Sequence, residues 1–500
     1  MTSSGSLRLP LPDRTAVRAG LRSFVAALGT FVTLALLVHL AHGSSGAIVV
    51  GVMVALSVDR VGKGQRHLAL LARLPVVTAC VAGVGAVMHW QPLLGSALFV
   101  ALVFLSIHLR RYGPRAAGIG RLMTLPLLAM FMSPVPVGSG PLGAIVWAIA
   151  AGVVAVLWSL AASFMIARYD PPPPVAEPGE SGTRGEVHTR LAAQAGLALA
   201  LAFVAGRLLF PDHWTWTVIT TLVLTVGARS RGHVLHKGVQ RFAGALAGAL
   251  TATLIAGPID GHPVVSVIVI FAYLLVGLIL RQVDYAYWSF CMTSVLAVLY
   301  GLSGQAGPGF LGERIVEIVL GTVCAILPAF VLLPIRTEAV VRKNLSRTLE
   351  ALGDLLKGPD EDRRREFDRR AEALHVAAEP LLALRRITGM ADTVLRRPPR
   401  VPGLAECARS LMSCAEPLAA LTVPADDPAS EDHGRARQTA SVHGALRRNI
   451  GTIRLTLGRR PAPEWVPVEI PPLSDPRTRA LADIDAALRS VHAGVASHAG

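Results

Sequence analysis

Charge is scarce in this chain. Asp, Glu, Lys and Arg make up 16% of its 500 residues, while hydrophobic residues make up 52%. That balance excludes an all-soluble protein of ordinary composition. Lysine is nearly absent: Lys63, Lys237, Lys343 and Lys357 are the whole supply, and none sits in a GxxxxGK[ST] loop. The chain therefore carries no P-loop for ATP hydrolysis. It also lacks GxSxG, HExxH and DDxxD-type clusters, so an enzyme is not expected, and neither is a cofactor. The five cysteines (Cys80, Cys291, Cys324, Cys407, Cys414) are scattered without a CxxC pair. They read as reduced packing residues, with no disulfide frame and no metal knuckle.

The charge that is present is unevenly placed. Residues 1–334 hold 22 Lys+Arg and 11 Asp+Glu, whereas residues 335–500 hold 26 and 22. An apolar block thus precedes a stretch of soluble composition. The net charge of +15 does not point to nucleic acid, because the basic residues form short clusters between apolar runs. Inner-leaflet flanks of membrane spans have this pattern, and the partner it implies is the lipid bilayer.

A span of the bilayer needs about 20 apolar residues. Runs of that kind lie at 23–41, 46–58, 69–88, 92–108, 117–132 and 141–167, and again at 191–209, 214–228, 240–256, 262–280, 287–302 and 314–334. The runs 46–58 and 214–228 are short enough to be tilted, broken or partly inserted. The first run follows Arg14, Arg18 and Arg22 without a convincing small-x-small cleavage site, and reads as an uncleaved first helix. Loop charges alternate. Arg60, Lys63, Arg66 and Arg73, then Arg110, Arg111 and Arg115, then Arg229, Arg231, Lys237 and Arg241, then Arg281 mark one side. The turns His42–Gly46, His89–Gln91, Ser133–Gly140, Gly257–His262 and Ser303–Gly312 carry almost no Lys or Arg, with Arg207 and Arg314 the exceptions near helix ends. The positive-inside bias then places both termini in the cytoplasm, in a cell inner (plasma) membrane. Trp90, Trp214 and Trp216 fall near the outer boundary, and Tyr285, Tyr287 and Trp288 near the inner one.

The expected fold class is all-α: two parallel six-helix repeats, about twelve transmembrane helices, with a C-terminal helical bundle in the cytoplasm. The domains are 1–168, a Pro-rich linker at 169–190 around Pro171–Pro174, a second repeat at 191–335, and 336–500. The repeat rests on a shift near 169 residues: Leu142-Gly143 matches Leu311-Gly312, Met123-Thr124 matches Met292-Thr293, and Gly152 matches Gly321. Six spans per half make both halves start on the same side, so the repeat is parallel, about an axis normal to the membrane. In the last third, 337–357, 360–388, 403–423, 430–458 and 475–497 read as amphipathic helices punctuated by prolines. The run Asp360–Arg370, dense in both signs, reads as a solvated face.

Candidate functional residues gather in the second half. Arg314, Glu317 and Gly321 share one face of the last span, and Glu313 lies one turn before Glu317. Ionisable groups inside a span are costly and usually face the bundle interior. They form either an Arg–Glu clamp closing the outer end or a substrate contact (Arg314) beside a proton-coupling carboxylate (Glu317, with Glu313 the second candidate). Arg241, Gly244 and Gly248 share a face of another span, and the glycines form a GxxxG that admits close helix approach. Arg241 either snorkels to the interface or meets an anionic substrate. Trp214 and Trp216, with Thr217, Thr220 and Thr221, either anchor a span or form a stacking wall for an aromatic ligand. Asp59 and Asp284 read as solvated at helix ends. His233 and His236, three apart in a basic loop, are a weak metal pair, and no metal is expected.

At these residues the chain resembles the fusaric acid resistance-like (FUSC) family of integral membrane transporter-domain proteins. The resemblance rests on His213-Trp-Thr-Trp-Thr-Val-Ile-Thr-Thr-Leu-Val-Leu through Gly238-Val-Gln-Arg241-Phe-Ala-Gly244-Ala-Leu-Ala-Gly248, and on Glu313-Arg314-Ile-Val-Glu317-Ile-Val-Leu-Gly321. It covers roughly residues 210–334. The first half departs, since Arg73 is followed by Leu-Pro-Val-Val without a glycine pair. The resemblance implies efflux of small organic acids, aromatic carboxylates in particular, and distant plant relatives imply an anion channel. The expected function is inner-membrane efflux of small organic anions driven by a proton gradient. A passive anion channel, or a membrane scaffold whose cytoplasmic bundle recruits partners, stands as the alternative. A homo-oligomer is compatible with all three.

Overall fold

The computed structural model describes residues 14–42, 46–58, 74–132, 140–167, 184–211, 213–259, 262–281, 283–302, 310–332, 335–358, 360–394, 403–422, 433–470 and 476–496. The basic cluster Arg60–Arg73, the prolines Pro171–Pro174, and most of the turns 133–140 and 303–312 lie outside these residues. Among the described residues every regular element is helical, and two compact units divide the chain.

The first unit, residues 1–228 and 237–333, holds twelve α-helices among the described residues, of which α9 begins in the other unit: α1 (Arg14–Leu40), α2 (Gly46–Val58), α3 (Leu74–Trp90), α4 (Pro92–His108), α5 (Pro114–Met132), α6 (Gly140–Ala167), α7 (Arg184–Leu209), α8 (Thr215–Thr225), α9 (Arg231–Ile259), α10 (Pro263–Leu280), α11 (Tyr285–Leu302) and α12 (Phe310–Leu327). The last continues into a π turn, Pro328–Leu332. A helix bonds every interior backbone group to its own chain, which apolar surroundings demand. Pro92 and Pro263 each open their helix, where a missing N–H costs nothing. Among the described residues six helices are long and apolar enough to cross a membrane: Val17–Leu40, Pro92–Tyr112, Ile145–Ile166, Val187–Leu209, Pro263–Leu280 and Gly312–Val331. Their outward residues are large and apolar: Val32, Leu36, Val146, Phe164, Val204 and Ile268 are all exposed. Of the linker assigned to 169–190, Arg184–Arg190 are instead the start of α7. Hydropathy detects only the apolar part of a helix, and its polar overhang is read as loop.

Packing within this unit has a reciprocal form. Helices α1, α2 and α6 contact one another pairwise, and so do α7, α8 and α12. Across the unit, α4 packs on α7 while α10 packs on α1. Two edge-to-face aromatic pairs mark those crossings: Phe99–Phe203 at 5.7 Å and Phe31–Phe271 at 4.9 Å between centroids. Phe203 lies 172 residues after Phe31, and Phe271 lies 172 after Phe99.

The GxxxG of α9 meets α11. A methyl group on Gly244 would run into the carbonyl oxygen of Ala286 and lie 2.9 Å from the amide nitrogen of Phe290. One on Gly248 would lie 2.5 Å from the carbonyl oxygen of Phe290. Backbone, not a movable side chain, fills the space that the glycines leave.

The second unit joins Arg229–His236 to Pro334–Gly500. Helices α13 (Thr337–Leu355), α14 (Glu361–Val394), α15 (Leu404–Met412), α16 (Ala415–Thr422), α17 (His433–Leu457) and α18 (Pro476–Ala496) close over Leu349, Phe367, Leu374, Leu411, Leu446 and Ile484. The helix read at 403–423 is two, broken at Ser413 and Cys414. Buried Asn449 receives the amide of Val466 at 2.9 Å and donates to its carbonyl at 2.8 Å, which holds the extended stretch after α17. The first three turns of α14 carry Asp/Glu–Arg pairs at i,i+3 and i,i+4, such as Arg365–Glu361 and Arg369–Glu366. They are exposed or half-buried and each adds only a few tenths of a kcal/mol.

The segment Arg229–His236 is tied into this unit. The amide of Gly232 donates to Thr337 Oγ1 at 3.0 Å, the amide of Arg231 donates to the carbonyl of Ile335 at 3.2 Å, and His236 Nε2 lies 3.4 Å from Glu379 Oε1. The hydrogen bond from His236 holds the Glu379 carboxyl below its ordinary value of 4.5, against an opposing push from burial. A depressed carboxylate pKa stabilises the fold above the ordinary value, and that gain is lost as pH falls through the lowered one. Glu379→Gln is therefore expected to destabilise this unit by no more than about 1 kcal/mol at neutral pH, since the pair is partly exposed. Melting curves of wild type and variant should converge below the carboxylate range; a gap that widens on acidification would contradict this account.

Candidate functional site

The site begins with a helix that is too short. Helix α8 has 11 residues, about 16 Å at 1.5 Å per residue, roughly half of a bilayer core. Its hydroxyl residues face inward. Thr217, Thr220, Thr221 and Thr225 are all buried. Thr221 Oγ1 sits 2.9 Å from the carbonyls of both Thr217 and Gly321, and Thr225 Oγ1 donates to the carbonyl of Thr221 at 2.7 Å. The hydroxyls of Thr217 and Thr220 have no hydrogen-bond partner among the described residues. The helix ends where Val226 turns extended and Gly227 takes φ +84°, a conformation that costs glycine little. Its orphaned carbonyls find a cation: Lys237 Nζ donates to Val223 O at 2.5 Å and to Val226 O at 3.3 Å. A positive charge at a helix C-terminus also suits the helix dipole. The sequence reading took Lys237 for an ordinary loop charge. The one available signal was its rarity in a chain with four lysines.

Helix α12 lies against α8. Gly321 permits this, since a methyl there would come 2.7 Å from the carbonyl oxygen of Thr217. The same face then presents Glu317 and Arg314. The Arg314 guanidinium carbon sits 3.6 Å from the centroid of the Trp216 ring. Arg314 is 4% exposed, Glu317 1% and Trp216 3%. Glu317 Oε1 has no hydrogen-bond partner among the described residues. Ionisable side chains buried this completely in a helix of spanning length are expensive to keep. Trp216 clusters with Ile219 and Leu296, and Leu128 and Phe131 pack against that cluster, so its ring is enclosed by protein rather than set at an interface.

The other candidates separate. Trp214 packs with Phe131 (5.9 Å) and Phe203 (5.5 Å) between centroids, and is only partly buried. Glu313 is exposed, with its Oε2 4.0 Å from His213 Nδ1. Arg241 is 7% exposed, so it does not snorkel. Its carbonyl accepts from Ser289 Oγ at 2.9 Å, its Nε has no hydrogen-bond partner among the described residues, and none of its described contacts reaches Arg314, Glu317 or Trp216. Asp284, read as solvated, instead accepts from Gln240 Nε2 at 2.9 Å and from the amide of Ala286 at 2.8 Å. It caps α11 and ties it to α9. His236 faces Glu379, and no group of three or more His, Cys, Asp or Glu side chains able to hold a metal occurs among the described residues.

Residues 197–327 match the family model described as fusaric acid resistance protein-like. No curated protein matches the chain. The matched stretch contains α8, α12 and the GxxxG of α9. Members of that family are membrane transport proteins. This match, with six helices of spanning length among the described residues, supports a multi-pass, transporter-like membrane protein.

Proposed function

Taking residues 197–327 as a transport-family domain, we propose that the chain is an inner-membrane efflux carrier for small organic anions, aromatic carboxylates among them, driven by a proton gradient. The observation that carries this reading is the buried constellation of Arg314 stacked on Trp216 with Glu317 one turn along the same face. Arg314 supplies charge and Trp216 a flat face, which together suit a ring-bearing anion. Glu317 is the group that takes and returns the proton. Arg241, a buried cation without an ion-pair partner among the described residues, meets the anion elsewhere on its path. Trp214 adds a further ring wall, and Glu313, being exposed, is the weaker coupling candidate.

The architecture proposed with it is twelve transmembrane helices in two parallel sets of six, with both termini and the second unit in the cytoplasm. The matched helix trios, the reciprocal α4–α7 and α10–α1 contacts, and the two Phe pairs with the same 172-residue spacing favour an internal twofold duplication. Helix α8, about 16 Å long at 1.5 Å per residue, is too short to cross by itself.

The test is counterflow in liposomes holding the purified protein. Uptake of a labelled aromatic carboxylate should be saturable and should rise several-fold when a pH gradient is imposed. Flux that ignores collapse of the gradient would remove proton coupling and leave a passive anion pathway.

A further inference from the structure

The two tryptophans of α8, two residues apart, serve different places. Trp216 is enclosed with Arg314. Trp214 borders a separate open cavity of about 600 Å³, at the end of the unit where α3 and α5 finish and α4 and α8 begin. That volume is typical of small-ligand pockets, roughly 300–1,000 Å³. Its walls come from both halves of the bundle: Met88 and His89 from α3, Phe131 from α5, Arg207 from the last turn of α7, and Trp214. No acidic residue is among the described residues that bound it.

Arg207 is held in place. Its Nη2 donates to Ser96 Oγ at 2.8 Å and to the carbonyl of Pro92 at 3.2 Å, both on α4. Its guanidinium carbon lies 4.7 Å from the Trp214 ring centroid and 5.5 Å from that of Phe203. Arginine has five N–H donors, and these two bonds use only Nη2, so Nη1 and Nε, which point along different edges of the guanidinium, keep donors for a ligand. A cation fixed among aromatic rings at the edge of an apolar cavity selects against cations and gives neutral rings no charge to pair. The residue 172 positions earlier, the register of the Phe pairs, is Ala35; the first half holds no such cation there.

We propose that this cavity is a second binding station for a ring-bearing carboxylate, with Arg207 pairing the carboxylate and Phe131 and Trp214 stacking the ring. This rests on the transport reading above and places a station outside the buried Arg314–Trp216 site. Phe131 joins the two, because its ring borders the cavity and also packs on the Trp216 cluster.

The test uses full-length protein in detergent and 1-naphthoate as a fluorescent probe. Two comparison compounds are 1-naphthylmethanol, which lacks the charge, and cyclohexanecarboxylate, which lacks the ring system. Wild type should bind naphthoate at least about tenfold more tightly than either, as expected for a charge-assisted pair plus stacking. Arg207→Gln and Trp214→Leu should each lose about tenfold. A readout that does not depend on those variants is maleimide labelling of Thr215→Cys in a Cys80→Ser background, followed at that site by mass spectrometry. Naphthoate should slow it several-fold. Equal binding of the three compounds, unchanged affinity in Arg207→Gln, or labelling indifferent to naphthoate each overturns the station. Intact protection with no flux in liposomes would instead overturn the transport reading and spare this one.

Discussion

Arg314→Gln is expected to lower transport of an aromatic carboxylate by roughly 10- to 150-fold, the equivalent of one charge-assisted hydrogen bond of about 1.5–3 kcal/mol. The side chain is 4% exposed and stacked at 3.6 Å on Trp216, so no other cation can take its place from solvent. Gln keeps a polar head but loses the charge and the delocalised plane. Arg314→Lys keeps the charge as a point and should fall between the two, because an ammonium does not reproduce a planar fork. Trp216→Leu removes the stacked face without the charge and should cost less, of the order of 0.5–2 kcal/mol. Counterflow rates normalised to folded protein by gel filtration read all three. Rates in Arg314→Gln within twofold of wild type would make Arg314 and Glu317 a mere clamp between helix ends.

The second large effect is structural. Gly244→Ala is expected to lower the melting temperature of the detergent-solubilised protein by several degrees, and Gly244→Val to prevent accumulation of folded protein. The added methyl meets the carbonyl of Ala286 and the amide nitrogen of Phe290. Those atoms belong to the backbone of α11 and have no rotamer to retreat into. Overpacking of this kind costs about 1–3 kcal/mol, and in lipid no hydrophobic gain offsets the lost contact. Gly83→Ala is the control. Nothing lies within 4 Å of a methyl group there, so the change should be neutral or slightly stabilising, by about 0.5–1 kcal/mol from helix propensity. Equal melting of wild type and Gly244→Ala would show that α9 and α11 do not rely on this close approach.

Much of the fold is legible in the sequence because apolar length carries it. The runs 46–58 and 92–108 coincide with α2 and α4, and each of the other ten overlaps one helix of the first unit in its described part. The reading fails at polar overhangs. Helix α9 starts at Arg231, well before the apolar run at 240, because Arg, His, Lys and Gln sustain a helix that hydropathy does not see. Rotation about a helix axis is also invisible to hydropathy, since both lipid and protein interior favour apolar residues. Hence Arg241 reads as a snorkelling end charge although it is buried, and Trp216 reads as an anchor although protein encloses it. Spacing does place Arg314, Glu317 and Gly321 on one face. Their partner face on α8 lies about one hundred residues away, and no pattern in a single sequence joins the two. The same limit hid Lys237 at the end of α8 and the tie between His236 and Glu379.

Whether the buried pair on α12 works as a site or as a structural clamp is decided most directly by Glu317→Gln in liposomes with an imposed pH gradient. Glutamine keeps the shape and cannot take up a proton. The proposed mechanism predicts that the variant still exchanges aromatic carboxylate down its own concentration gradient, yet accumulates none in response to the pH gradient. Gradient-driven accumulation in Glu317→Gln equal to that of wild type would contradict it.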